Sequence, residues 1–263
     1  MPFSSSRGSK IGKPEPWYPG VNLQHRTAQG IRCIFPFNRS GGVINAGGQV
    51  APLDLKYEQG AAAWKLSPYG WMYFGGNLEV WNDTPEQLNP DEGSILYWVF
   101  WNPGNANRYC LRWLADVVTG LKSGSAVTTI KVDFGQSGNT VSLEWTDAVV
   151  GEFYQVVQTY SKRTGRRELY VDGLLRVSST GFTGLDMTGF SNLRYFDSFV
   201  DIRLLWLSMW NRPLVAWEVA DLNNTFSVFR QPKRAHLFHA GTAAPAITDG
   251  EIAAAATSFD NRP

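Results

Sequence analysis

The carboxylates that come closest to an acid/base pair lie in EWTDAVVGE, at Glu144, Asp147 and Glu152. A hydrolase that works through two carboxyl groups needs both in one cleft, and along a strand only alternate residues share a face. Glu144 and Asp147 are at odd spacing and would face opposite sides of a strand, so no catalytic residue is expected. The histidines are His25, His236 and His239; the last two fall in an irregular stretch with no thiol nearby, and no metal centre is expected there. No Gly-rich phosphate loop is present, and Gly75 and Gly76 read as a turn. Cys33 and Cys110 sit in strand-like apolar settings and are expected to be buried thiols rather than a disulfide.

The elements that would position such groups are mostly strands. FYQVVQTY, from Phe153 to Tyr160, is rich in aromatic and β-branched residues that suit a pleated, half-buried surface. Lys162 to Arg166 is polar and contains Gly165, which permits the positive φ of a hairpin loop. Leu169, Val171 and Leu174 follow on the return path, interrupted by Asp172-Gly173, the dipeptide suited to a tight turn between two strands. Between Ile202 and Trp210 nearly every position is apolar, which predicts a central strand covered on both faces. Asn211, Arg212 and Pro213 break it, and Leu214, Val215, Val219 and Leu222 recur at the spacing of one short helix over 214–222.

These residues resemble the laminin-G-like and concanavalin-A-like jelly rolls. RELYVDG, from Arg167 to Gly173, and SMWNRPLVAWEVADL, from Ser208 to Leu222, are similar to the family's hairpin phrase and its strand-to-helix phrase. CIFPFNRSGG, from Cys33 to Gly42, resembles the opening strand, with Phe35 in place of a Trp and Arg39 in place of an acid. YGWMYFGGN, from Tyr69 to Asn77, and SILYWVFW, from Ser94 to Trp101, resemble two further strands. The resemblance implies an all-β, two-sheet antiparallel jelly-roll sandwich with one short helix near its C-terminal end and irregular terminal arms. It implies no particular activity.

Related jelly rolls include glycosidases with an E-x-D-x-x-E strand, a pattern missing here. Lectin-like members hold saccharides in loops at one rim, with Asn or Asp on hydroxyls and an aromatic ring on the pyranose face. NPGNANRY follows the Trp98–Trp101 strand and makes Asn102, Asn105, Asn107 and Tyr109 the carbohydrate-binding candidates. The plainer reading, preferred on the sequence, is that Pro103, Gly104 and the asparagines are turn formers. Calcium, bound near such loops in several members, would fall to Asp83, Asp91 and Glu92, although that run also reads as a solvated turn, and no cofactor is expected.

The sandwich is expected over 21–226, with arms at 1–20 and 227–263. Both ends are low in regular pattern and hold isolated apolar residues, among them Trp17, Tyr18, Phe229, Leu237 and Phe238. Alone they cannot bury enough surface to offset the entropy of ordering, so docking on neighbouring chains is expected. PEPWYPGVNLQHRTAQGI, from Pro14 to Ile31, resembles the Pro-rich leader of jelly-roll proteins from tailed bacteriophage virions. That likeness implies a virion protein and leaves its position in the particle open; with the two arms, the expectation is a head decoration or similar surface subunit, with the major capsid protein, other virion subunits or copies of itself as partners. A host-glycan adhesin is the alternative.

Composition agrees. Eleven Trp, fifteen Phe and ten Tyr can fill the gap between two sheets. A net charge of +1 supplies no basic stripe for nucleic acid. No run approaches a membrane span, and the first twenty residues lack the apolar core of a secretion signal, so synthesis in the cytosol is expected and no membrane partner.

Overall fold

The structure, a computed structural model, describes residues 22, 25–36, 42–45, 50–52, 54–58, 63–67, 70–74, 77–81, 89–107, 109–114, 119–136, 139–187, 192–195, 203–224 and 228. Trp17, Tyr18, Phe229, Leu237, Phe238, His236, His239, Asp83 and the Gly75-Gly76 turn lie outside the described residues.

Two antiparallel sheets face each other in a jelly-roll-like sandwich, as the sequence leads one to expect. The larger has the spatial order β15 (Leu174–Ser179), β14 (Arg166–Val171), β13 (Glu152–Ser161), β8 (Glu92–Trp101), β17 (Arg203–Trp210), β1 (Ile31–Pro36), β2 (Gly42–Asn45) and β3 (Val50–Pro52). The other runs β12 (Asn139–Trp145), β11 (Ile130–Gln136), β10 (Thr119–Ser123), β9 (Tyr109–Leu114), β16 (Asn192–Tyr195), β7 (Asn77–Trp81) and β4 (Asp54–Glu58). A separate pair joins β5 (Ala63–Ser67) to β6 (Gly70–Phe74).

Alternation along the strands decides which side chains fill which layer. Tyr97, Val99 and Trp101 of β8, Val156 and Tyr160 of β13, and Leu207 and Met209 of β17 meet Leu121, Ile130, Val132 and Phe134 between the sheets. Gln158, also fully buried, donates to Thr119 Oγ1 at 2.6 Å and so bridges β13 and β10. Cys110 is a free thiol inside this core, and burial pushes its pKa well up. The intervening residues Leu96, Trp98, Val157, Trp206 and Trp210 form a second cluster on the far face of the larger sheet. Trp206 to Trp210 are all buried, which is the signature of a strand covered twice.

The second cluster is covered by Leu214, by Val219 and Leu222 of helix α1 (Ala216–Asn224), by Ala28 of the 3-10 turn η1 (Arg26–Ala28), and by Val228. The helix starts two residues later than its apolar spacing suggested, because Val215 is the capping residue and stays half exposed. Its carbonyl accepts from the N–H groups of Glu218 and Val219, and Glu218 Oε2 accepts the Val215 N–H at 3.0 Å, as in one half of a capping box. Both predicted turns are present: Gly165 has φ +65, and Asp172 and Gly173 have φ +52 and +78. Among the described residues no helix is long and apolar enough to cross a membrane.

Candidate functional site

Three loops meet at one end of the sandwich: 102–107 between β8 and β9, 124–129 between β10 and β11, and 146–151 between β12 and β13. Trp101, fully buried at the end of β8, holds two of them. Its indole Nε1 donates to Val127 O at 2.8 Å, and its carbonyl accepts from Gly151 N at 2.7 Å. The loops also bond one another, Asn107 N to Gly124 O at 2.8 Å and Ala148 N to Thr128 O at 2.9 Å. Ser123 Oγ donates to Asn105 O at 2.8 Å. Backbone groups that would otherwise need water are thus consumed inside the rim, which leaves side chains to face outward.

The outward side chains combine amide, hydroxyl, carboxylate and apolar groups. Asn105, Asn107, Thr128, Thr146 and Asp147 are exposed, and so are the adjacent Val149 and Val150, at 57% and 43%. Tyr154 Oη accepts the Val149 N–H at 2.8 Å, and the Tyr154 ring packs edge-on against Trp145, 5.6 Å between centroids. Arg176 lies 5.0 Å over the other ring system of that pair, Trp145. The two valines are therefore displayed from a backed turn.

The four carbohydrate candidates do not share one setting. Asn102 is half-buried at the foot of its loop, and Asn105 and Asn107 stand at the exposed tip. Asn107 takes φ +55 and Gly104 φ +61, so backbone geometry accounts for both residue types. No such demand falls on Asn105. Tyr109 belongs to the outer face of β9. Its hydroxyl donates to Asp133 Oδ2 at 2.6 Å, and the Lys122 ammonium stands 4.8 Å from its ring centroid. Asp133, fully buried, also accepts from Ser142 Oγ at 2.6 Å and pairs with Lys122 at 3.2 Å. Tyr109 thus fastens the loop to the sheet.

The remaining ionisable candidates are spread over the molecule. Glu144 is on β12 and pairs with Lys131 at 2.6 Å, whereas Asp147 lies beyond the strand, in the loop. Strand faces therefore do not decide their relation, contrary to the spacing argument. Asp91 meets Lys162 at 3.0 Å at the opposite end of β8. His25 Nε2 lies 3.3 Å from Asp221 of α1 and its Nδ1 accepts the Thr27 N–H. Among the described residues no three His, Cys, Asp or Glu stand together as metal ligands.

Sequence reasoning reached the Asn loop and missed the two loops beside it. The available signal was the pair Val149-Val150 next to Gly151, at a strand connection where polar turn formers are the rule.

No protein-family model matches the chain, and no curated protein does. Solved structures do. The receptor-binding domain of botulinum neurotoxin D matches with a TM-score of 0.58 and 11% identity, over 75% of this chain and 53% of that one. The binding domain of Paraclostridial mosquitocidal protein 1 matches with a TM-score of 0.61 and 12% identity, over 76% and 53%. The botulinum neurotoxin D ligand-binding domain in complex with N-acetylneuraminic acid matches with a TM-score of 0.56 and 12% identity, over 74% and 51%. The chain spans about half the length of these structures. What it shares with them is the fold, a two-sheet β sandwich.

Proposed function

We propose that this chain is a non-enzymatic recognition module that binds saccharide at the three-loop rim, as an adhesin does. The observation that carries the reading is the convergence of loops 102–107, 124–129 and 146–151 around Trp101, with Asn105, Asn107, Asp147, Val149 and Val150 exposed. Such a rim offers a fixed set of donors, acceptors and apolar contact without first paying to order its loops. Solved neighbours described as binding domains, one in complex with N-acetylneuraminic acid and one with synaptotagmin II, support it. The test is a glycan array with the full chain, repeated with Asn105→Ala. Selective signals that weaken in the variant are the expected result, and an array without selective signal refutes the reading.

A second reading keeps the virion decoration subunit, docked through its arms on the major capsid protein, another virion subunit or a copy of itself; the expected C-terminal arm, 227–263, is shortened to 229–263 because Val228 is buried in the second cluster. It is favoured by one contact, Asn22 N to Val228 O at 2.7 Å, which sets side by side the two residues nearest the arms. One partner surface could then engage both. Removing 1–20 and 229–263 should leave a folded sandwich that no longer binds particles, and unchanged binding sinks this role.

A further inference from the structure

An unpaired guanidinium stands where one rim loop leaves its strand. β15 and β12 are the outermost described strands of the two sheets on one side of the sandwich. Arg176 of β15 reaches across to Trp145, the last residue of β12, with its Cζ 5.0 Å from the ring centroid. Loop 146–151 begins at the next residue. The indole beneath Arg176 is itself held: Trp145 is buried and packs edge-on against Tyr154, whose hydroxyl accepts the Val149 N–H of the same loop at 2.8 Å.

Other cations of the sandwich have acceptors. Arg212 donates to Glu218, Arg166 pairs with Glu168, and Arg167 donates to Ser179 Oγ and Thr180 O. Lys122 and Lys131, on strands that feed the rim, pair with Asp133 and Glu144. Arg176 makes no hydrogen bond or ion pair among the described residues, and its described contact is the face of Trp145. The residue is half-buried, with Nε enclosed and without an acceptor, whereas Nη1 and Nη2 are not enclosed. What stays open is therefore the end of the fork, two donor nitrogens in one plane, an edge that matches the two oxygens of a carboxylate. The aromatic face attracts the cation and orders its long side chain in advance, so binding an anion costs less rotamer freedom than at a loose surface arginine. Asp147 and Glu152, exposed along the same loop, form no ion pair with Arg176. Their repulsion of an anion acts through water and is screened by salt, while the fork makes a direct contact.

We infer that Arg176, on the saccharide reading given above, is the anion subsite of the rim and selects saccharides that carry a carboxylate over their neutral counterparts. Nη1 and Nη2 take the two carboxylate oxygens. Trp145 is a positioning residue that keeps the fork flat beside loop 146–151.

The experiment is an array of immobilised saccharides probed with the full chain, with uronate-terminated and sialylated arms, each paired with the same saccharides after reduction of the carboxyl group to the alcohol, and a neutral N-acetylhexosamine arm. Binding on the uronate arm, the sialylated arm or both is expected, and which of them binds tells the two sources of the carboxylate apart. Reduction should weaken the wild-type signal roughly ten- to hundredfold, the worth of a hydrogen-bonded charge contact. That comparison needs no variant to fold. Arg176→Gln should lose a similar factor on the carboxylated saccharide and leave its reduced partner unchanged, and Arg176→Lys, which keeps the charge without the fork, should recover only part of the loss. An arginine that merely braces β15 against β12 would weaken both members of each pair alike, which overturns the inference. Equal wild-type affinity for carboxylated and reduced saccharides, or selective binding confined to the neutral arm, overturns it too and leaves the saccharide site standing. A blank array removes the reading beneath it.

Discussion

The hydroxyl oxygen of Tyr154 accepts the backbone N–H of Val149 at 2.8 Å, so a core aromatic residue sets the conformation of a surface turn. The ring of Tyr154 is buried against Trp145 and would keep that packing in Tyr154→Phe. The substitution therefore removes the hydroxyl that accepts the Val149 N–H while keeping the ring. It should lower stability by about 1 kcal/mol and speed amide exchange at Val149 much more than at the central residues of β13. Equal acceleration everywhere would mean that the phenyl group fails to pack and the turn is not locally controlled.

Arg212 and Glu218 form the fork that ties the helix to the leading turn. Arg212 Nη1 and Nη2 donate to Glu218 at 2.8 and 2.6 Å, and Arg212 Nε donates to Gln29 O at 2.8 Å. Glu218 is almost fully buried, so Arg212→Met strands its carboxylate. A loss of about 3 kcal/mol is expected, read as a lower denaturant midpoint at unchanged slope. Glu218→Gln, which keeps an acceptor for the Val215 N–H, should cost less. The reverse order would show that the ion pair is not what holds α1.

Much of this fold was legible because turn chemistry and strand periodicity agreed. Asp172-Gly173 named its own hairpin, and the mostly apolar run ending at Trp210 named the central strand. The helix was found but displaced, since Val215 continues the apolar spacing while serving as the cap. The rim was legible only in its Asn loop. Trp101 and Val127, whose bond gathers the loops, are 26 residues apart, and nothing local to either marks the other. The pair Val149-Val150 beside Gly151 marked an unusual connection, but its exposure is seen only in the assembled turn. The bond from Tyr109 to Asp133 was not legible, because the two residues lie two strands apart.

Alkaline pH should unfold the protein earlier than surface tyrosines would. Burial pushes the phenols of Tyr97 and Tyr160 well above 10, the value they regain in the unfolded chain. Their contribution is fully present below pH 10. Above it the unfolded chain loses protons that the folded chain keeps, so stability falls by up to about 1.4 kcal/mol per pH unit for each phenol. The buried Cys110 thiol and the Tyr170 phenol are raised as well and add to the slope in the same direction. Denaturant titrations at pH 9 to 11.5 should show the combined slope, and Tyr160→Phe should reduce it by about a quarter. A slope indifferent to that substitution would mean that other groups set the alkaline limit.

Asp133 is the buried charge on which the base of the rim depends. Its carboxylate accepts from Tyr109 and Ser142, both at 2.6 Å, and faces Lys122 at 3.2 Å. Asp133→Asn puts an amide N–H among donors and leaves the Lys122 ammonium without its counter-charge, at a cost of roughly 2–3 kcal/mol. Ser142→Ala removes one donor and leaves the other two partners of the carboxylate in place, so it should cost about 1 kcal/mol. Tyr109→Phe should fall between them in stability, yet exceed Ser142→Ala in its effect on saccharide binding, because Tyr109 anchors the end of the Asn loop and Ser142 touches no loop residue. Denaturant midpoints and array affinities for the three variants settle this together. If Ser142→Ala weakens binding as much as Tyr109→Phe, the network acts only through general stability, and the path from Asp133 through Tyr109 to Asn105 and Asn107 does not exist.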